Sequence, residues 1–193
     1  RKDLFSSWEC GLQFVICGKL QLTLKVYQSL TEFNTINCAV ATTGTFDGVH
    51  LGHKKIVGQL VQTAHKIGGE SVLLTFSPHP RLVLQPDIEL KLLTSLEEKI
   101  GLLEQTGLDH LIIHPFTKEF SRTPSLEFVR EILVNQIGVK QLVIGYDHHF
   151  GRNREGSFDH LKEFGPIYGF EVEEIPALDI DAVNISSTKI RTA

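Results

Sequence analysis

The amino-acid sequence predicts an α/β fold, a Rossmann-like open and mainly parallel sheet with helices on both faces. Three observations lead there. Short apolar, β-branched runs alternate with stretches of helical periodicity across residues 36–190. Glycine- and polar-rich segments follow the first, second and fourth runs, at 44–53, 77–81 and 146–156. Such sheets bind ligands at the carboxyl ends of their strands, so the three segments are expected to converge on one crevice. No internal repeat and no linker divides residues 36–190, which therefore read as one domain.

Taken in order, "INCAVATTG" (36–44) is a buried strand that ends at glycine. Ile56, Val57, Leu60, Val61, Ala64 and Ile67 then recur at helical spacing, and Gly68-Gly69 stops the pattern. "SVLLTF" (71–76) is the second strand. "SPHPRLVLQPDIELKLL" reads as a long proline-marked loop, of the kind that is usually functional or mobile. Thr94 or Ser95 caps the next helix with Glu97 or Glu98 as reciprocal partner, and Leu96, Ile100 and Leu103 form its apolar face. "HLIIHPF" (110–116) is the third strand. Thr123-Pro124 opens a helix that turns Phe128, Val129, Ile132 and Leu133 inward. "QLVIG" (141–145) is the fourth strand, a helix over 157–165 follows, and "FEVEEIP" (170–176) is the fifth strand. "ISSTKIR" supplies serine and threonine for a last helix start.

Composition narrows the function. The formal charge of −4 argues against general nucleic-acid binding but leaves room for a small anionic ligand at a helix N-terminus. No apolar run approaches the ~20 residues of a membrane span, and the opening "RKDLFSSWECGLQFVICGKL" is too interrupted for a signal peptide. Cys10, Cys17 and Cys38 lack CxxC spacing, which points to reduced thiols, a cytoplasmic location and no zinc site. The chain has no methionine and is expected to be a piece of a longer protein or a sequence stripped of modified residues. Nothing in it speaks to oligomeric state.

The chemistry concentrates in "GTFDGVHLGH". Gly44, Gly48 and Gly52 permit tight turning and close approach of backbone to a ligand, and the following helix aims N–H groups at the same place. His50 and His53, three apart, can donate to phosphate oxygens. The segment is neither a Walker motif nor GxGxxG. Taken alone it leaves a phosphate cradle, a two-histidine metal site and a decorated turn open. Asp47 in turn reads as an orienter of the histidines, a ligand of metal-bound water or a turn aspartate.

Gly44–His53 resembles the HxGH signature of the nucleotidyltransferase superfamily. In this form it is similar to the FMN adenylyltransferase (FAD synthetase) module of bacterial bifunctional riboflavin kinase/FAD synthetases. "LLTFSPHPR" (73–81), "GYDHHFGRNREG" (145–156) and "ISSTKIR" (185–191) resemble further motifs of that family in the same order, and "LTSLEEKIGLLEQTGLD" (93–109) looks like its connecting helix. The resemblance implies a nucleotidyltransferase fold over residues 25–193, with ATP and FMN as substrates, FAD and pyrophosphate as products, and Mg²⁺ entering with ATP. It implies ATP binding by Gly44, Phe46, Asp47, Gly48, His50, His53, Ser186, Ser187, Thr188 and Arg191, with His50, His53 and Arg191 stabilising charge. It also implies flavin binding by Pro78, His79, Pro80, Arg81, Asp147 and Phe150. His148 departs from the family's usual aromatic residue. The family usually places a riboflavin kinase module after the last motif, and no residues for it are present here. Residues 1–24 fall outside the resemblance.

Overall fold

The computed structural model describes residues 23–146, 148–176 and 187–192, and in the last segment the side chains of Ser187, Ile190 and Arg191. Residues 1–22, Asp147 and Ser186 and the Thr188 side chain therefore lie outside it.

Six strands form one sheet: β1 Lys25–Tyr27, β2 Ala39–Thr43, β3 Glu70–Ser77, β4 His110–Pro115, β5 Val139–Gly145 and β6 Glu171–Ile175. Their order is β1-β4-β3-β2-β5-β6, and every neighbouring pair is parallel. The chain steps outward from β2 through β3 to β4, then crosses back so that β5 lies on the other side of β2. That reversal leaves the loops after β2 and β5 diverging over a crevice between their carboxyl ends.

Side-chain alternation builds a core on each face of the sheet. Val40, Leu73, Leu111, Ile113 and Val143 pack with Val57, Leu60 and Ala64 of helix α1 (Leu51–Ile67) and with Leu103 of α3 (Leu96–Glu104). Ala39, Ala41, Val72, Leu74, Ile112, Leu142 and Ile144 face the other way. They meet Phe128, Val129, Leu133 and Ile137 from the helix opened by α4 (Ser125–Glu127) and continued as a π-helical stretch, Phe128–Ile137, together with Leu161 of α5 (Phe158–Tyr168). The fully buried leucines and isoleucines on both faces carry the stability, at ~25 cal/mol per Å² of apolar surface removed from water.

The structure departs from expectation in four places. Strand β1 adds a sixth strand, at the sheet edge beyond β4. The proline-marked loop contains a five-residue helix, α2 (Pro80–Leu84), because His79 caps it through its side chain and Pro80 pre-sets its first turn. Helix α5 runs three residues past 165, carrying Pro166 within it, to a left-handed Gly169. Ile67, expected on the apolar face of α1, is exposed. The helix start at "ISSTKIR" is realised as α6 (Ser187–Thr192), and Ser95 with Glu98 forms a complete capping box for α3.

Glycine positions give a test of this packing. Gly138 ends the π-helical stretch at φ 81, where an added Cβ would meet the Ile36 carbonyl oxygen, whereas Gly58 in α1 and Gly101 in α3 face open space. Gly58→Ala and Gly101→Ala should each stabilise the protein by about 0.5–1 kcal/mol. Gly138→Ala should destabilise it by more than about 1 kcal/mol. Denaturant midpoints decide, and a neutral Gly138→Ala would contradict the described turn.

Candidate active site

The loop from Gly44 to Val49 leaves β2 and feeds α1. The Gly44 N–H is held by the Leu74 carbonyl at 3.0 Å. Phe46 (φ 46) and Val49 (φ 36) both adopt left-handed backbone, a state that costs non-glycine residues about 1–3 kcal/mol each. Such a conformation persists only where its surroundings over-determine it, and here each part of the loop is tied. The Thr45 carbonyl accepts from Thr75 Oγ1 (3.1 Å) and from Lys99 Nζ (2.8 Å). Thr94 Oγ1 accepts from the Gly48 N–H at 3.2 Å. At Gly48 (φ 80) a Cβ would collide with Leu93, so a glycine is required there.

Asp47 is the centre of these ties. Its side chain is buried, accepts from the Leu93 N–H at 3.0 Å and is ion-paired with Arg191 Nη2. Its carbonyl accepts from Ser187 Oγ at 3.0 Å, and Arg191 Nε donates to the Lys91 carbonyl at 2.9 Å. Helix α6 is thereby docked on the same loop that starts α1.

His50 is the N-cap of α1, and its Nδ1 accepts from the His53 N–H at 3.4 Å. An accepting Nδ1 places the proton of the neutral ring on Nε2. The two imidazoles stack with centroids 3.7 Å apart, and His53 rests against the buried Phe46 at 4.9 Å. His53 Nδ1 is buried with no hydrogen-bond partner. Burial, then the charges of His50 and Lys99, pulls the His53 pKa from 6.5 to about 3. Burial also lowers His50, against the pull of Asp47. Burial thus disfavours the charged form of both imidazoles.

The "SPHP" segment reaches the same place. His79 Nδ1 accepts from the Arg81 N–H at 3.1 Å. Its pKa falls to about 4, chiefly through burial, with Asp47 opposing and Arg191, Lys99 and Arg81 assisting. Pro78 and Arg81 are exposed. After β5, Phe150 is buried against Phe128 and pairs by backbone with Gly156. A file of aromatic contacts, Phe76 to Phe120 to Phe128 to Phe150, joins the carboxyl end of β3 to that of β5. His148 stacks on Phe150, its Nε2 is buried without a partner, and burial, then His149 and Arg154, lowers its pKa to about 4.

The structure thus gathers Gly44, Phe46, Asp47, Gly48, His50, His53, His79, Ser187 and Arg191 around one loop, and sets Phe150 apart in the core beneath the β5 loop. Arg152 and Arg154 are exposed. Lys99 is the residue that motif reading missed. It stands three after Leu96 and four before Leu103, on the apolar face of α3, and that position is the one sequence signal that it turns inward. No group of three or more His, Cys, Asp or Glu able to hold a metal ion occurs among the described residues. The same residues include no helix long and apolar enough to cross a membrane.

Comparison with known proteins agrees with this picture. A family model described as FAD synthetase matches residues 33–189. The chain is 36% identical over 154 residues to the bifunctional riboflavin kinase/FMN adenylyltransferase of Pseudomonas fluorescens, covering 80% of this chain and 49% of that protein. It is 37% identical over 156 residues to the protein of the same description from Haemophilus influenzae, covering 81% and 50%. The chain spans about half the length of these curated relatives. A solved structure described as a macrolide-efflux protein from Streptococcus pneumoniae superposes with a TM-score of 0.76 at 25% identity, covering 89% of this chain and 57% of the other.

The buried neutral histidines make stability depend on acid. His53, His79 and His148 stay neutral when folded but take protons near pH 6.5 when unfolded, so the unfolded state binds more protons below that pH. Their contribution is whole above pH 6.5 and is lost as pH falls toward about 4 and, for His53, about 3. Urea midpoints should drop across that window, and His53→Gln and His148→Gln should each flatten the drop. An unchanged slope in both variants would remove these rings from the buried, neutral state.

Proposed function

Because the chain belongs to the FAD synthetase family, we propose that it is an ATP:FMN adenylyltransferase, with residues 25–193 as the adenylyltransferase domain. The reading is carried by one observation: two stacked neutral histidines at a helix N-terminus, on a strained loop to which Asp47 and Arg191 dock a second short helix.

In the reaction, an oxygen of the FMN phosphate attacks the α-phosphorus of ATP. The new P–O bond forms as the bond from that phosphorus to the bridging oxygen breaks, and pyrophosphate leaves with the electron pair. FMN brings its own nucleophile, so the protein's task is positioning and stabilisation of developing negative charge. His50, with its Nε2–H free of the cap, donates to phosphate oxygen. The buried, unpartnered ring nitrogen of His53 calls for a partner that bound ATP supplies. Both rings donate without carrying charge; the cationic contribution comes from Arg191, whose guanidinium has donors left after Asp47 and the Lys91 carbonyl are served. Gly44, Phe46 and Gly48 shape the loop, and Ser187 with Ser186 and Thr188 receives the β- and γ-phosphates.

Mg²⁺ would enter as a companion of the nucleotide, held by its phosphates and by water, because the Asp47 carboxylate at the loop is taken up by the Leu93 N–H and Arg191. It would neutralise charge on the phosphates. On the flavin side, Pro78, His79, Pro80 and Arg81 would line the site, with Phe150 a buried support beneath the β5 loop. The free thiol of Cys38 suits a reducing, cytoplasmic setting.

Purified protein supplied with Mg²⁺, ATP and FMN should release FAD and pyrophosphate, read by chromatography. Nicotinamide mononucleotide and phosphopantetheine, offered with ATP or CTP, should turn over poorly; strong turnover of either overturns the acceptor assignment. His53→Ala should lower kcat by roughly a hundred- to a thousand-fold with little change in melting temperature. Full turnover by a folded variant would take His53 out of the mechanism.

A further inference from the structure

A buried cation lies under the phosphate-facing loop and belongs to none of its motifs. Lys99 is 8% exposed, although lysine is among the residues least often buried. Its Nζ donates to the Thr45 carbonyl at 2.8 Å, and Thr75 Oγ1 of β3 donates to the same oxygen at 3.1 Å. Both lone pairs of that oxygen are therefore engaged, one from a helix and one from the sheet. The next residue is Phe46 at φ 46, and Val49 at φ 36 closes the turn. The clamp sits at the entry to the strained segment, where it decides the direction in which the loop sets out.

A neutral donor would serve as a clamp, and Thr75 already is one. Burying an ammonium is costly unless it is paired: burial lowers the Lys99 pKa, and the charge of Asp47, itself ion-paired with Arg191, opposes that fall. Among the described residues, Lys99, Arg191 and Arg81 stand against the one carboxylate of Asp47 here, within a chain whose formal charge is −4. The groups facing His53 and its neighbours are His50 and Asp47 on the loop, Lys99 on α3, His79 and Arg81 at α2, and Arg191 on α6. Of these, His50 and Lys99 act on His53 directly, and only Lys99 carries a fixed charge.

We infer that Lys99 is a positioning residue of the adenylyl transfer: it clamps the Thr45 carbonyl so that the loop and His53 face the phosphates. Its charge adds to burial and to His50 in disfavouring a charged His53. The catalytic half of this inference rests on the function proposed above; the clamp and its effect on His53 do not. Lys99 acts through Thr45 and His53 and does not touch the reacting atoms.

Three variants separate the two roles. Lys99→Gln keeps a donor for the Thr45 carbonyl and removes the charge, Lys99→Arg keeps the charge, and Lys99→Met keeps neither. Imidazole ¹⁵N–¹H NMR titrations of the full chain should show the His53 midpoint displaced upward in Lys99→Gln and close to wild type in Lys99→Arg. The acid limb of kcat should move upward in Lys99→Gln, and kcat should fall roughly a hundred-fold in Lys99→Met, with the KM for ATP changing less. If Lys99→Met does not fold, Lys99→Gln carries the test. Wild-type kcat in folded Lys99→Met overturns the inference, and a His53 midpoint unmoved in folded Lys99→Gln overturns the contribution of the charge. A displaced midpoint in a protein whose wild type makes no FAD supports the clamp and overturns the reaction instead.

Discussion

The Asp47 side chain is the tie on which the carboxyl edge of the sheet depends. Its carboxylate takes the Leu93 N–H and the Arg191 guanidinium, and its carbonyl takes the Ser187 hydroxyl. A six-residue helix such as α6 has almost no stability of its own in water, since helix nucleation outweighs the few hydrogen bonds so short a piece can make. Its position is thus set by docking on Asp47. The same residue sits between Phe46 and Gly48, so the group that places α6 is also part of the strained turn that starts α1. The two elements expected to grip opposite ends of a triphosphate are consequently one mechanical unit. Removing the Asp47 charge would leave Arg191 poorly partnered and release α6 from the loop.

Where the sheet was legible in the sequence, the reason is its burial on both faces. Runs such as "SVLLTF" and "HLIIHPF" have no polar alternation to confuse with a helix, and their ends carry glycine or proline. Strand β1 escaped because three residues with an exposed Lys25 give no period to read, and its pairing with β4 exists only in three dimensions. Helix α2 escaped for a different reason. Three prolines argue for a loop, and the cap comes from the His79 ring, a residue outside the usual serine, threonine, aspartate and asparagine set.

The candidate site was legible in its backbone chemistry and less so in its electrostatics. Glycines and histidines at fixed spacing marked the turn but left cradle, metal site and decorated turn open, and Asp47 was visible but ambiguous among three roles. Its actual partners, Leu93 and Arg191, lie 46 and 144 residues away, a separation no local pattern encodes. Lys99 was read past because "EEKIG" resembles a solvated face, although its register places it among Leu96, Ile100 and Leu103. Phe150 was expected as a wall facing the flavin; its ring is instead buried against Phe128 and the Gly156 turn, so what it offers the crevice is a rigid floor.

The division of labour among these groups follows from burial. Imidazoles stacked at 3.7 Å, with His53 against Phe46, cannot readily both be cations, since each like charge would disfavour the other and both would be poorly solvated. Positive charge therefore has to come from groups that resist neutralisation, and the arginine that docks α6 is such a group, with the lysine beneath Thr45 behind it although burial lowers its pKa. A neutral N–H donor gives up little when the substrate is absent and needs no reorganisation when charge develops on a phosphate oxygen. Cations set back from it would add long-range attraction for an anionic ligand in an otherwise acidic protein. The HxGH pair is then better understood as the uncharged inner surface of a positive crevice than as the source of its charge. That arrangement explains why the histidines alone, read from the sequence, left metal, cradle and turn unresolved.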